Sequence, residues 1–553
     1  MRRKNITNCA GSLFFLALQA GASGLVPDAG ETLHNIAPDV LAPAPPQRQV
    51  LPTTPMPRLM LHGQSHERIF VKHFQLTGNS VYSASQLAPL VQAGEGQHLT
   101  VDEIDGWVNR ITVFYRKHGY LLARAYLPEQ DVTEGNIKIA ILEGHYGNLQ
   151  MHNKSHVKTA VLNKFLAPIK MGDVVQGTTL EQQLLLMSDV PGAQIHSTLL
   201  PGKEVGSTDF DADVDPGPRY EGQAGADNLG NRYTGATSAH AELDILSPLS
   251  LGDHLAIYGM DSQGGGTHYG HAAYDLPVDG QGSRLGMAYG NLSYVLEREF
   301  ADLGAHGTAT TGSFYGVHPL LRSRNDNVNL QFNFDHRDLH DQISNPVAAD
   351  IKQLNVAAAS LSGNDVLSHD AQAVWGLTLT QGHLNLDTAT RLNDAKTYQT
   401  QGAYLKYNVN STLLLPLPEN FSAYASINSQ WANKNLDISE KMSMGGPGAV
   451  RAYPEGEAMA DNAMVGTLEL RYQAWERTQL IAFYDNAAAR INHSPLAQDT
   501  GNARRLSDLG LGLGVILPGN FDMHTELGWI TGPPASSAPT TRPTLTWQIA
   551  KSW

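Results

Sequence analysis

The chain has 553 residues, 53 acidic against 38 basic side chains for a net charge of -15, and a single cysteine. Its length exceeds one ordinary core, so more than one domain is expected; the acidic balance argues against nucleic acid as a general partner, and the lone Cys9 excludes disulfide-stapled and zinc-cysteine designs. After the N-terminal apolar stretch no run of eighteen apolar residues follows, which excludes a helical membrane protein and leaves a barrel open.

Arg2, Arg3 and Lys4 precede an apolar stretch from Ala10 to Leu18, and Ala20-Gly21-Ala22 follows. That is the layout of a cleavable secretory signal over residues 1–22. Cys9 opens the apolar stretch instead of closing it, so it fits no lipid-attachment site. The segment holds those three cations and no acid, so its removal takes the charge from -15 to -18. In residues 23–67, Pro38, Pro43, Pro45, Pro46, Pro52, Pro55 and Pro57 block long helices and central strands. Only Glu31 to Leu41 has room for a short helix, and the rest reads as an extended arm.

Residues 68–146 and 147–219 read as two copies of one small α/β unit. In the first, Phe70 to Leu76 reads as a strand, and Thr100-Val-Asp-Glu103 is a capping box opening a helix with the apolar face Ile104, Val108, Ile111 and Tyr115. Strands follow at Leu122 to Leu127 and Ile137 to Leu142. The second copy repeats the plan, with a capping box at Thr178 to Glu181 and helix residues Leu180, Leu184 and Met187. Its closing strands match at one constant offset: Leu127-Pro128 with Leu200-Pro201, Val132 with Val205, and Ile137, Ile139, Ile141 with Phe210, Ala212, Val214. Such register indicates a duplicated βααββ module.

From residue 220 to 553 the texture changes to glycine-rich segments that alternate with period two. Val328-Asn-Leu-Gln-Phe-Asn-Phe334 is the cleanest; Ala239 to Ile245 places His240, Glu242 and Asp244 on one face, and Leu468 to Ala474 places Glu469, Arg471 and Gln473 there. Phe421 to Ile427 is another such strand. In a soluble sandwich the apolar face meets a second sheet, whereas in a membrane barrel it meets lipid and the polar face lines a wet lumen; charges on the polar face favour the barrel. Because backbone groups in lipid must all be paired, the antiparallel sheet has to close, with about sixteen strands at roughly twenty residues per strand and connection. Polar stretches such as Asp326 and its neighbours suit surface loops, and the last strand, Leu545 to Trp553, ends on an aromatic interface anchor.

Several motifs invite chemistry and read better as structure. Gly510-Leu-Gly-Leu-Gly514 is followed by no helix and keeps strict alternation, so it reads as a strand with a glycine lumen face, not a nucleotide loop. Asp209, Asp211, Asp213 and Asp215 share one strand face and cannot surround one calcium ion. His268 and His271, with His254 nearby, lack a carboxylate at ligand spacing and read as solvated, so no metal is assigned. No Gly-x-Ser-x-Gly elbow or Ser, His, Asp set stands out, and neither an enzyme nor a cofactor is expected. Met444 to Glu457 is a glycine-rich loop around Arg451 and Tyr453.

Val450-Arg451-Ala452-Tyr453 resembles the Val-Arg-Gly-Tyr loop motif of POTRA-carrying outer-membrane barrels, and Phe483-Tyr-Asp485-Asn-Ala487 resembles their Phe-x-Asp-x-Gly strand motif. Asp227-Asn228-x-Gly230 with Thr234-Gly235, and Pro319 to Arg324, are similar to further stretches of the two-partner secretion (TpsB) transporters, so that the resemblance covers nearly the whole mature chain. It departs at Ala452 and Ala487, where glycine is usual, and at Trp553, where phenylalanine is usual. Alanine disfavours positive φ, which predicts a local adjustment of loop and strand.

The resemblance implies an all-β transmembrane barrel of sixteen strands in the outer membrane, two periplasmic POTRA modules, a sixth extracellular loop folded into the lumen, and an N-terminal helix that plugs the pore. It also implies that Arg451 pairs with Asp485 on the inner wall, within a lock of Val450, Arg451, Ala452, Tyr453, Phe483 and Asp485. The expected partners are a large secreted exoprotein of the haemolysin or filamentous-haemagglutinin type (TpsA), outer-membrane lipid, and the barrel-assembly machinery during biogenesis. The unfolded exoprotein is expected to add a strand to module edges near Leu122, Leu127, Ile137, Ile139, Ile195 and Leu199. Two rivals are a barrel-assembly factor, against which two modules instead of a longer array argue, and a passive porin or adhesin barrel, which leaves the duplicated module unexplained.

Overall fold

A computed structural model describes residues 27–36, 68–497, 499, 501–537 and 543–553. The secretory signal and most of the proline-rich arm lie outside the described residues; of the arm, Ala29–Ile36 forms helix α1, starting two residues earlier than the helix expected from Glu31. The chain divides into two units, one holding the two small modules and the other α1 with the C-terminal sheet.

The first module runs β1 (Ile69–Val71), β2 (His73–Thr77), α2 (Ala84–Val91), β3 (Gln97–Leu99), α3 (Val101–Lys117), β4 (Arg124–Tyr126) and β5 (Asn136–Leu142). The capping box forms: Thr100 Oγ1 accepts from the Glu103 amide at 3.3 Å, and Glu103 accepts from the Thr100 amide at 2.8 Å. With that start, the 3.6-residue period turns Ile104, Val108, Ile111 and Tyr115 onto one buried face, each worth roughly 1.5–3 kcal/mol of burial. The strand expected over Phe70 to Leu76 is interrupted at Lys72, so that β1 pairs with β3 and β2 with β5.

The second module runs β6 (His145–Asn153), α4 (Thr159–Leu166), α5 (Gly177–Ser188), β7 (Ala193–Pro201) and β8 (Ser207–Pro216). Ile137, Ile139 and Ile141 in β5, and Phe210, Ala212 and Val214 in β8, are all buried in their modules, as the constant offset predicts. The second capping box does not form, because α5 begins at Gly177 with Gln176 before it and no side-chain cap, leaving Thr178 inside the first turn. In both modules the central strand is the last one, with sheet orders β2-β5-β4 and β6-β8-β7.

Glu143 closes the first module. It accepts hydrogen bonds from the Tyr115 hydroxyl at 2.6 Å, the Ser80 amide at 2.8 Å, the Val81 amide at 2.9 Å, and the Ser80 hydroxyl. Burial pushes its carboxyl upward, but these donors outweigh burial and hold it below the ordinary range. A depressed folded-state pKa stabilises the module fully above the unfolded value of about 4.3, and this stabilisation is lost as pH falls through the lower folded value. Pepsin cleavage within residues 69–142 is therefore expected to rise steeply in that acid window. Glu143→Gln should flatten the pH dependence and leave the module less stable at neutral pH; an unchanged acid transition refutes the assignment.

The remaining strands are β9 (Tyr220–Asp227), β10 (Ser238–Leu246), β11 (His254–Ser262), β12 (Thr267–Pro277), β13 (Arg284–Val295), β14 (His306–Arg322), β15 (Asp326–Ser344) and β16 (Val347–Val366). They continue as β17 (Gln372–Leu386), β18 (Gly402–Pro416), β19 (Phe421–Ala432), β20 (Asn462–Trp475), β21 (Thr478–Arg490), β22 (Ala503–Leu517), β23 (Phe521–Ile530) and β24 (Thr544–Ser552). Each pairs antiparallel with the next, and β24 pairs with β9, giving a closed sixteen-stranded barrel. Closure leaves no edge in lipid. The closing pair spans only Gln548–Ser552 against Gln223–Asp227, whereas β15 and β16 pair over their whole lengths. Asp326 opens β15 after a short turn, so the polar stretch expected to be a loop is strand.

Residues opposite one another in the register share a face, and the alternation sorts chemistry by face. Phe314, Phe332, Phe334, Leu468 and Leu511 are each more than half exposed on the outside, with no second sheet among the described residues to cover them, which suits lipid. His240, Glu242, Asp244, Glu469, Arg471 and Gln473 face the lumen as expected from the sequence. Gly510 belongs to the lumen row: a Cβ there would collide with the Phe483 ring.

Candidate functional site

The lumen is occupied by two elements. One is residues 433–461, the sixth loop at the rim opposite Tyr220 and Trp553, which folds back into the barrel. Its turn holds Val450, Arg451, Ala452 and Tyr453, all buried. Val450 and Tyr453 pack with Met444, Ala463, Val465, Ala487 and Leu506, and the Tyr453 hydroxyl donates to the Pro533 carbonyl at 2.6 Å.

Arg451 meets the inner wall there. Its Nε donates to Asp485 Oδ2 at 2.8 Å and its Nη2 to Asp485 Oδ1 at 3.1 Å, a bidentate pair. Nη2 also reaches Glu469 at 2.7 Å and Nη1 reaches Glu526 at 2.7 Å, while the guanidinium stacks 3.8 Å above the Phe483 ring. The Ala452 amide donates to Asp508. The structure thus brings together all six residues singled out in the two motifs and adds Glu469, Asp508 and Glu526. Glu469 was legible as a charge on a lumen face; Asp508 lies just ahead of the alternating run Leu509 to Gly514 of β22, and Glu526 lies in β23, which the sequence did not mark as a strand.

Ala452 needs no adjustment. It has no positive φ, and its Cβ lies against Gly528, whose missing side chain leaves the space. Ala487 likewise sits in regular β21. Trp553 exchanges two backbone hydrogen bonds with Gly222, at 3.0 and 3.3 Å, so the terminal tryptophan extends the closing pair.

The second occupant is α1. Its preceding residue Asp28 accepts from Lys352 Nζ at 2.7 Å, and the Ala29 amide donates to Asp341 at 2.8 Å. The same Lys352 Nζ lies 3.1 Å from Asp437 of the sixth loop. One wall cation therefore holds both occupants. Nearby, Glu440 of the loop takes Arg337 at 2.8 Å and Lys406 at 2.8 Å. Gly30 lies so close to Ser439 that any Cβ at residue 30 would collide with it. Sequence reasoning missed this second attachment; its signal was Lys352 and Lys406, cations on strand faces that must point inward in a membrane barrel.

The metal candidates do not converge. His271 faces the lumen and stacks on Tyr269, His268 faces outward beside Asp261 at 3.1 Å, and His254 is not solvated but lies between Asp244 at 2.7 Å and Asp275 at 3.4 Å. Of the module residues, Ile195 and Leu199 lie on β7, an edge strand. Leu122 and Leu127 flank β4, another edge, which is shorter than expected. Ile137 and Ile139 are a correction: they lie on central β5, paired on both sides, with side chains in the core. No strand can be added there.

A closed barrel, apolar outside and charged within, preceded by βααββ modules and filled by its own loop and helix, defines an outer-membrane transport barrel. The chain belongs to the haemolysin secretion/activation protein family ShlB/FhaC/HecB, whose family model matches residues 206–513, and a ShlB-type POTRA domain matches residues 69–144. The chain is 26% identical over 461 residues to the heme/hemopexin transporter protein HuxB of Haemophilus influenzae, with 81% of each covered. It is 22% identical over 388 residues to the outer membrane transporter CdiB of Dickeya dadantii, covering 68% and 67%. Its fold is that of CdiB from Escherichia coli, with a TM-score of 0.73, 20% identity, and 90% and 93% of the two chains covered. It is a two-partner secretion transporter of the outer membrane that carries an exoprotein to the surface, its POTRA modules in the periplasm. The rim at Tyr220 and Trp553 is then periplasmic and the sixth loop enters from outside.

Proposed function

We propose that the modules capture a large, unfolded secreted polypeptide of the haemolysin or adhesin type by strand addition to the free edges of β4 and β7. Strand addition reads backbone more than side chain, which suits an unfolded cargo. The observation that carries this reading is that β7 is a long edge strand whose outer side no strand of its sheet covers. The cargo then threads the lumen once α1 and the sixth loop rearrange, and folding outside biases its motion outward. In this reading residues 1–22 direct export of the transporter, residues 23–67 tether the plug, the apolar outer wall contacts outer-membrane lipid, and the barrel-assembly machinery inserts it.

Removal of residues 68–215 is expected to leave a barrel in the outer membrane and to cut the exoprotein in the medium at least tenfold. Undiminished export defeats the capture step. The passive-barrel reading predicts that same undiminished result.

A further inference from the structure

Cations in the barrel strands point inward: Arg284, Arg337, Lys352, Lys406, Arg471 and Arg504 all lie in lumen rows. In the extracellular half, the lysines and arginines on outward-facing strand positions among the described residues are Arg490 of β21 and Arg505 of β22. They are neighbours. Arg505 pairs in register with Ala488 and Arg490 with Ala503, so the two arginines are diagonal neighbours on one face, roughly 7–8 Å apart and somewhat closer between Cβ atoms. Both are exposed, and neither has a carboxylate within ion-pair distance among the described residues. The acid on the adjoining loop, Asp499, is engaged by the Leu496 amide at 2.9 Å and the Tyr398 hydroxyl at 3.2 Å.

Their height on the wall gives the pair a partner. Tyr484, Leu509 and Trp529 share one outward row, the aromatic level at which a barrel leaves the hydrocarbon. Arg505 lies four residues beyond Leu509, roughly 13 Å along the strand, or roughly 10 Å above that level at the usual tilt. Asn486 and Ser507 occupy the row between, and Asn462 sits opposite Arg490. The wall thus turns from apolar to donor-rich at headgroup height. Two adjacent unpaired guanidinium groups repel each other unless an anion lies between them, and the forked geometry of each matches phosphate oxygens.

We propose that Arg490 and Arg505 clamp the phosphate of a phosphorylated glycolipid of the outer leaflet, fixing one lipid to the wall beside the β21–β22 pair. This goes beyond cargo handling and does not depend on it.

The purified full chain in neutral detergent would be titrated with bis-phosphorylated lipid A, with dephosphorylated lipid A, and with inorganic phosphate, and lipid adducts counted by native mass spectrometry. Bis-phosphorylated lipid A is expected to bind the wild type about tenfold or more tightly than the Arg490→Gln/Arg505→Gln protein. The paired lysine substitutions, which keep charge but lose the fork, should fall between. Arg477→Gln, at a periplasmic turn, should bind like the wild type. Equal binding by wild type and double variant overturns the clamp, as does equally tight binding of dephosphorylated lipid A. Displacement of the lipid by equimolar inorganic phosphate also overturns it, since the site would then be one for free anions. Heat-modifiable migration of each variant checks that the barrel is closed; should the glutamine pair fail it, the lysine pair binding like the wild type overturns the proposal and weaker binding supports it.

Discussion

Export by the Arg451→Ala protein is expected to fall at least tenfold, with the sixth loop released from the inner wall. Arg451 is the cation among Asp485, Glu469, Glu526 and Asp508, and Arg471 reaches Glu469 at 2.7 Å from the side. Its removal leaves carboxylates facing one another in a shielded site, and breaking a buried pair in this way costs about 3–5 kcal/mol. Arg451→Lys should fail as well, because a point charge cannot serve three carboxylates that a planar fork serves at 2.7–2.8 Å. Asp485→Ala alone should cost less, since Glu469 and Glu526 still hold the guanidinium. The decisive comparison is Arg451→Ala, Asp485→Ala and the double change, read by exported partner and by thermal unfolding. A coupling of about 0.5–3 kcal/mol is expected; if the double loses as much as the sum of the singles, the pair contributes nothing.

Lys352→Met is expected to open the pore. Lys352 is buried and lies 2.7 Å from Asp28 and 3.1 Å from Asp437, with Asp350 at 3.9 Å. Without it those carboxylates face Asp341 and one another around α1. A loss of about 3 kcal/mol in seating shifts the ratio of seated to released helix by roughly a hundredfold. The readouts are conductance of the reconstituted protein in planar bilayers and entry of large hydrophilic antibiotics into cells, both rising at least tenfold. Lys352→Arg should remain closed. A wild-type conductance in the methionine variant removes Lys352 from any role in holding the helix.

How much of this was legible beforehand depends on the range of the signal. Alternation with period two is local, so β10, β15, β19 and β20 could be placed, and the lumen faces of β10 and β20 were assigned correctly. The module repeat was legible because duplication writes the same core twice, Ile137 to Ile141 and Phe210 to Val214. Capping was half legible: Thr100 caps α3, but Gly177 lets α5 start one residue before Thr178 and makes that threonine's side chain superfluous. Strand order was the harder problem. Ile137 and Ile139 alternate like edge residues, yet the parallel pairing of β2 with β5 puts them at the centre, and no local pattern announces which strand a distant one will choose.

The lock was legible through its motifs, since Arg451 and Asp485 carry recognisable neighbours. Two of its other carboxylates were not, because Glu526 and Asp508 are single acids 75 and 56 residues from their loop partners. The seat of α1 is the extreme case. Asp28 and Lys352 are separated by 324 residues, and a short helix after a signal carries nothing that names its counter-ion.

Lys352 is placed six residues from the tip of the β15–β16 hairpin, and Arg451 meets Asp485 one residue from the aromatic level marked by Tyr484. Both bolts are thus on the street side of the door. On the proposed route, a chain arriving from the periplasm passes more than half of the corridor before it touches either, so its leading end would already be inside when the way out is unfastened.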